Sequence, residues 1–206
     1  MPGMSDVRSS AVDVALEEWE RVVRDPQDRD RIKTYIREGG ADWMLDGGRY
    51  VESENFWCGM FAAYCFQQVG EHLVDGQCVD LTLADGLGRQ IFPSTARLVG
   101  RGPYPWTDFV EGPPARISPE DIQRGDILLV KTGRTDRPYG GHVVLAEGPP
   151  EDGKIPTVEG NSSHGRLGNG EPGEGVCRAH WSAEDVGMAL RLKARHFEGN
   201  YLSKLN

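Results

Sequence analysis

An α+β fold, with helices packed on a mostly antiparallel sheet, follows from three features of this 206-residue sequence. Helical periodicity is confined to the first third of the chain. Short apolar or alternating runs bounded by turn residues begin only after Gly125, and a Gly- and Pro-rich stretch separates the two regions. Helices first and strands second is the order of an α+β domain rather than of alternating βα units.

Residues 11–24 read as the first helix. Val12, Ala15, Leu16, Trp19, Val22 and Val23 recur on one stripe, with Glu17, Glu18, Glu20 and Arg21 on the other side. Asp25 and Pro26 end it, and Pro26 suits the first turn of a second helix that carries Ile32, Tyr35 and Ile36 and stops at Gly39 and Gly40. A polar loop containing Gly47 and Gly48 leads to a third helix over 55–69, with Asn55 as its N-cap. Its buried stripe comprises Trp57, Phe61, Tyr64 and Cys65, with Val69 closing it before Gly70. Pro103, Pro105, Pro113 and Pro114 argue against long regular structure between 71 and 116, although 94–98 has room for one helical turn. Strands are expected at 126–130, 141–146, 155–159 and 189–194. Six glycines and prolines between 164 and 175 mark a surface loop.

A chain of this length buries a real core, and one globular unit is the expected count. An N-terminal helical segment, residues 1–49, packs on a core of residues 50–206, into which the stretch near 71–116 is inserted. The 23 Lys and Arg against 32 Asp and Glu give a net charge of −9, mixed along the chain, so no basic nucleic-acid or anionic-membrane footprint is visible. No apolar run approaches the roughly 18 residues of a membrane helix. Residues 1–10 lack the apolar core of a secretory signal, so synthesis in the cytoplasm without a signal peptide is expected. Cysteines 58, 65, 78 and 177 form no CxxC pair. On one helix Cys58 and Cys65 lie about 10 Å apart along the axis, which excludes a disulfide between them. Asp42, Asp46 and Asp75 do not fit a calcium loop, so no metal or cofactor is expected.

The chemistry centres on Cys58, set among Phe56, Trp57, Gly59 and Phe61 at the start of a helix. A helix N-terminus favours thiolate over thiol through its free N–H groups and its partial positive charge. His142 opens an apolar run, and Glu159 and Asn161 follow seventeen and nineteen positions later. Nucleophile, base and orienting group thus occur in the order a thiol hydrolase needs. If the strand continues through Gly160, Glu159 and Asn161 point to the same face. Glu159 is then the better electrostatic partner for His142, while Asn161 shares that role or polarises the substrate carbonyl. The first oxyanion donor is the Cys58 backbone N–H.

Each of these residues also has a plainer reading. Cys58 alone fits a small buried hydrophobe, His142 a satisfied sheet-edge histidine, and Glu159 and Asn161 the turn after a strand. Cys65 reads as core, and Cys78 and Cys177 as unreactive. Asp126 reads as a turn residue bonded to local backbone. Trp57 beside the thiol, Tyr139 before His142 and His164 in the glycine-rich loop are candidate substrate-binding residues. For His164 an exposed loop position is the alternative; for Tyr139, with Arg134, Asp136 and Arg137, it is a solvated hairpin tip.

Trp57, Cys58, Gly59 and Phe61, then Gly125, Asp126 and Ile127, then Gly141, His142 and Val143, then Val158, Glu159, Gly160 and Asn161, resemble the CHAP family of cysteine, histidine-dependent amidohydrolases and peptidases, related to NlpC/P60. The resemblance covers roughly 50–165 plus a final strand. It implies a papain-like fold and cleavage of amide bonds in the stem peptides of peptidoglycan or in related peptides, at the cell wall after export, injection or lysis. A peptidoglycan amidase or endopeptidase is therefore one expectation. A cysteine protease or deamidase-type toxin, paired with an immunity protein or delivery partner, is a second; a catalytically silent binding module is the third. An acidic chain gains no attraction to a polyanionic wall.

Overall fold

The computed structural model describes residues 4–24, 29–38, 57–72, 115–131, 142–162 and 175–191. Over these the class is mixed α+β: three α-helices and one six-stranded antiparallel sheet. The helices are α1 (Met4–Arg24), α2 (Arg29–Ile36) and α3 (Cys58–His72). The strands are β1 (Ala115–Ile117), β2 (Ile127–Val130), β3 (His142–Ala146), β4 (Lys154–Ser162), β5 (Gly175–Ser182) and β6 (Val186–Arg191), in sheet order β1-β6-β2-β3-β4-β5.

Both faces of the sheet are buried. On one, Ile127, Leu129, Val143, Leu145, Val158 and Val176 share a core with α3 and with Ala11, Val12 and Ala15 of α1. On the other lie Leu128, Val130, Val144, Ala146, Ile155 and Ala189, with Trp181 packed against them. Period-2 alternation assigns the residues of β2 and β3 to these two faces in turn. That double burial explains why β2 and β3 read as unbroken apolar runs rather than as alternating ones.

The helices are tied together by a buried acid. Glu18 on α1 is 3% exposed and accepts hydrogen bonds from Tyr35 of α2 (2.7 Å) and Tyr64 of α3 (3.0 Å). Arg31 of α2 forms a two-point ion pair with the same carboxylate, its Nε 2.9 Å from Oε2. Every lone pair of Glu18 that faces the interior is thus satisfied, which is the condition for burying a carboxylate. Tyr35 stacks on Trp57 with centroids 5.6 Å apart and meets Phe61 edge-on at 5.1 Å. The N-terminal helices therefore pack on the residue immediately before Cys58.

Two glycines set close approaches. Gly125 has φ +81°, and a Cβ there would lie 2.5 Å from Arg8 on α1. At Gly160 a Cβ would lie 2.6 Å from both Phe61 and Trp57, so the absence of a side chain lets α3 settle directly on β4.

Several boundaries differ from those the sequence predicts. Helix α1 begins at Met4 rather than residue 11, and α3 runs through Gly70 to His72. The third helix starts at Cys58, not after Asn55: Trp57 is its N-cap, its carbonyl accepting the first helical bond from Phe61 at 2.9 Å. The last strand begins at Val186 rather than at residue 189, because a short 3₁₀ turn at Ala183–Asp185 feeds straight into it; residues 192–194 lie outside the described residues. Strands β1 and β5 were not expected. Asn55, Pro26, the glycine pairs at 39–40 and 47–48, the possible turn at 94–98, Cys78 and the glycine-rich loop before Gly175 lie outside the described residues.

Candidate active site

The start of α3 is built to hold an anion. Trp57 occupies the N-cap, and its indole has no oxygen to accept from the first-turn amides. Those amides remain for another acceptor, and Cys58 takes one: the Gly59 N–H donates to its sulfur, as does the Val143 N–H from β3. The thiol belongs to the core between α3 and the sheet and is 6% exposed.

His142, the first residue of β3, hydrogen-bonds to this thiol. Its Nε2 lies 2.5 Å from Oε2 of Glu159 on β4, so the thiol bond falls to Nδ1. Glu159 is fully buried, and its other oxygen, Oε1, accepts from Trp181 Nε1 of β5 at 3.1 Å and weakly from Thr157 at 3.4 Å. The Ser162 side chain also bonds this carboxylate. A continuous chain, Cys58 to His142 to Glu159 to Trp181, thus crosses from α3 over β3 and β4 to β5. The thiol comes from one face of the sheet. Alternation puts His142, Glu159 and Trp181 on the other, and they meet at the sheet margin.

Electrostatics follow from that chain. Burial opposes ionisation of Cys58, but the charge and hydrogen bond of His142, with the two backbone N–H groups, outweigh it and hold the thiol below its ordinary range. Burial also opposes the imidazolium, yet the Cys58 thiolate and Glu159 push His142 up to about 10. Glu159 is held below the usual carboxylate range despite its burial, by His142 first and then by Trp181 and Ser162. The favoured state is thiolate, imidazolium and carboxylate in a row. Cys65 is the contrast: burial and the nearby Glu18 charge push its thiol well up.

Asn161 is placed differently from Glu159. The β3–β4 ladder pairs Leu145 with Val158 and Ala146 with Thr157, and continued to His142 that register would put Asn161 opposite the ring. Instead Asn161 turns to φ +58°, and the β4–β5 register slips by one between Glu159 and Ser162. Same-face alternation therefore fails at Asn161. Its side chain bonds neither His142 nor Cys58, and of the two residues Glu159 is the one that reaches the ring.

Asp126 behaves as a turn residue, accepting the Gln123 N–H at 2.8 Å, and adds a two-point ion pair with Arg191 of β6. Cys177 is buried, with its sulfur on the Ser162 carbonyl. Cys58, Cys65 and Cys177 form no disulfide. Tyr139 and His164, with the loop residues 134, 136 and 137, lie outside the described residues. Among the described residues, no three His, Cys, Asp or Glu side chains gather as a metal ion would require. No described helix is long and apolar enough to cross a membrane. Trp181 is the site residue that sequence reasoning missed; an indole on an unexpected strand gave no signal beyond its residue type.

Comparison with family models, curated proteins and solved structures finds no match for this chain.

Proposed function

We propose that this protein is a cysteine-dependent amide hydrolase of papain-like architecture, acting on the stem peptides of peptidoglycan as an amidase or endopeptidase. One observation carries the reading: a helix-N-terminal thiol, an imidazole and a buried carboxylate joined in a single hydrogen-bonded row. A helix bearing the nucleophile against an antiparallel sheet, with base and orienter on adjacent strands, supports the papain-like assignment. A silent binding module has no use for a thiol held below its ordinary range beside an imidazolium.

The steps follow from the row. The Cys58 thiolate attacks the amide carbonyl, and the developing oxyanion meets the free N–H groups of the first turn of α3. Imidazolium His142 gives its Nδ1 proton to the leaving amine as the C–N bond breaks, leaving a thioester on Cys58. Neutral His142 then takes a proton from water, whose oxygen attacks the thioester, and the carboxylic acid departs as the thiolate re-forms. Glu159 keeps Nε2 protonated and the ring oriented throughout. The substrate class rests on the family resemblance; action at the wall and any immunity or delivery partner stand with it.

The test is mass analysis of fragments released from purified peptidoglycan by wild type and by Cys58→Ala. New alanine N-termini at the sugar mark an amidase, and opened cross-bridges mark an endopeptidase. Release by neither protein, with wild type folded, removes the wall as substrate. Equal release by both removes Cys58 as nucleophile.

A further inference from the structure

We propose that Trp181 is a positioning residue for the hydrolytic row: its indole N–H holds Oε1 of Glu159, so that Oε2 stays on Nε2 of His142. This rests on the amide-hydrolase reading for its catalytic consequence, but not for its effect on the thiol.

The geometry is specific. A carboxylate has two oxygens and one rotatable bond to its chain, and an imidazole bonded to one oxygen does not fix that rotation. Trp181 supplies the second anchor at 3.1 Å, from the strand on the far side of β4. Thr157 is too distant, at 3.4 Å, to do the same alone. The Trp181 ring also lies 6.4 Å from the imidazole, centroid to centroid, at a tilt of 48°. Within β5 its register partner is Ile155, two pairs from Thr157 along β4, so the indole reaches Glu159 along the sheet face rather than as a direct cross-strand neighbour. That reach depends on a large side chain with a donor far from its Cα, which the indole supplies here.

Ser162 also bonds the Glu159 carboxylate, but from the same strand; the indole is the anchor that comes from β5. The titratable partners facing it are His142 from β3 and, through the ring, Cys58 from α3. From its own strand come Thr157 and Ser162, both neutral, and across β5 its register partner is Cys177. Removing the indole N–H removes one donor from a buried anion, so Glu159 takes up a proton at higher pH than before. His142 then loses its anionic partner, and the thiolate loses part of the imidazolium that stabilises it.

The experiment replaces Trp181 with phenylalanine and, site-specifically, with benzothienylalanine, which keeps the bicyclic shape with sulfur in place of the N–H. Both variants are read by the pH dependence of Cys58 alkylation with iodoacetamide, and by kcat and KM on the cleaved peptide. The expected result in both is an acid limb moved to higher pH, and a kcat lower by about 10-fold or more with KM little changed, the size of one hydrogen bond to a charged group. Benzothienylalanine guards against a merely structural effect, since packing is retained. A benzothienylalanine protein that alkylates with the wild-type pH profile overturns the proposal. Failure of wild type to cleave any amide removes the proposed function instead, and the alkylation profile still decides the role of Trp181.

Discussion

Cys58 differs from the other buried thiols of this protein by its neighbours, not by its exposure. Cys58, Cys65 and Cys177 are all buried, yet only Cys58 has an imidazole and two backbone N–H groups on its sulfur. Iodoacetamide near neutral pH should therefore label Cys58 first, with Cys65 protected until unfolding; peptide mapping that finds Cys65 ahead would refute the activated thiol. The pH window has a definite sign. Thiolate persists above a thiol pKa that is lowered, and imidazolium persists below a histidine pKa raised to about 10. Activity should rise with pH through an acid limb below the ordinary thiol range, then hold a plateau that extends well past 6.5, the normal imidazole value. A pH–rate profile that already falls by pH 7 would contradict this. His142→Ala should be nearly as damaging as Cys58→Ala, and Glu159→Gln should lose on the order of 10²-fold in kcat. Asn161→Ala should cost far less than Glu159→Gln, because Glu159 and not Asn161 is bonded to the ring.

At the scale of elements, the distance between α3 and β4 is set by a missing side chain. Gly160→Ala would drive a methyl group into Trp57 and Phe61, both buried and both held by Tyr35. A stability loss of about 1–3 kcal/mol in urea unfolding is expected from such overpacking. The same shift lifts the start of α3, so selective labelling of Cys58 should fall with it. Unchanged labelling in a destabilised Gly160→Ala protein would mean that helix position and thiol activation are separable. Glu18 joins α1, α2 and α3 in the same way that Gly160 joins α3 to the sheet. Glu18→Ala takes the carboxylate from Arg31 and leaves the Tyr35 and Tyr64 hydroxyls without this acceptor, a change worth about 3 kcal/mol or more where one partner of a buried pair is removed. A loss within 0.5 kcal/mol would show that water replaces the carboxylate there.

Across the whole molecule, two buried carboxylates make stability depend on acid. Glu18 and Glu159 both sit below the ordinary carboxylate range in the folded chain. A lowered folded-state pKa contributes stability that is full above the unfolded value of about 4.5 and is lost as pH falls through the folded value. Thermal unfolding should therefore show a melting temperature that declines below about pH 4.5, and Glu18→Gln combined with Glu159→Gln should flatten that decline. A melting temperature of wild type that holds constant down to pH 3 would contradict the linkage.

The sequence by itself determined the class and most of the residues of the candidate site. Helical stripes in α1 and α3, apolar runs in β2 and β3, and the order Cys58, His142, Glu159 are all local patterns, legible because side-chain periodicity follows backbone geometry. What it did not contain was contact between distant segments. Strand β5 does alternate, with Cys177, Ala179 and Trp181 set against Arg178 and His180, but it follows directly on the glycine-rich stretch and pairs with β4 alone at the sheet edge, so it was not read as a strand. β1 is three residues following two prolines, too short to carry a period. The choice between Glu159 and Asn161 was equally out of reach. It turns on a one-residue slip and a left-handed backbone at Asn161, and residues two apart look equivalent until that slip is known. Trp181 reaches Glu159 only because β4 and β5 pair. Gly160 appears as ordinary turn chemistry until α3 lies across it. Local pattern assigns elements and residue types; which of those residues meet is decided when the sheet closes its register and α3 docks on it.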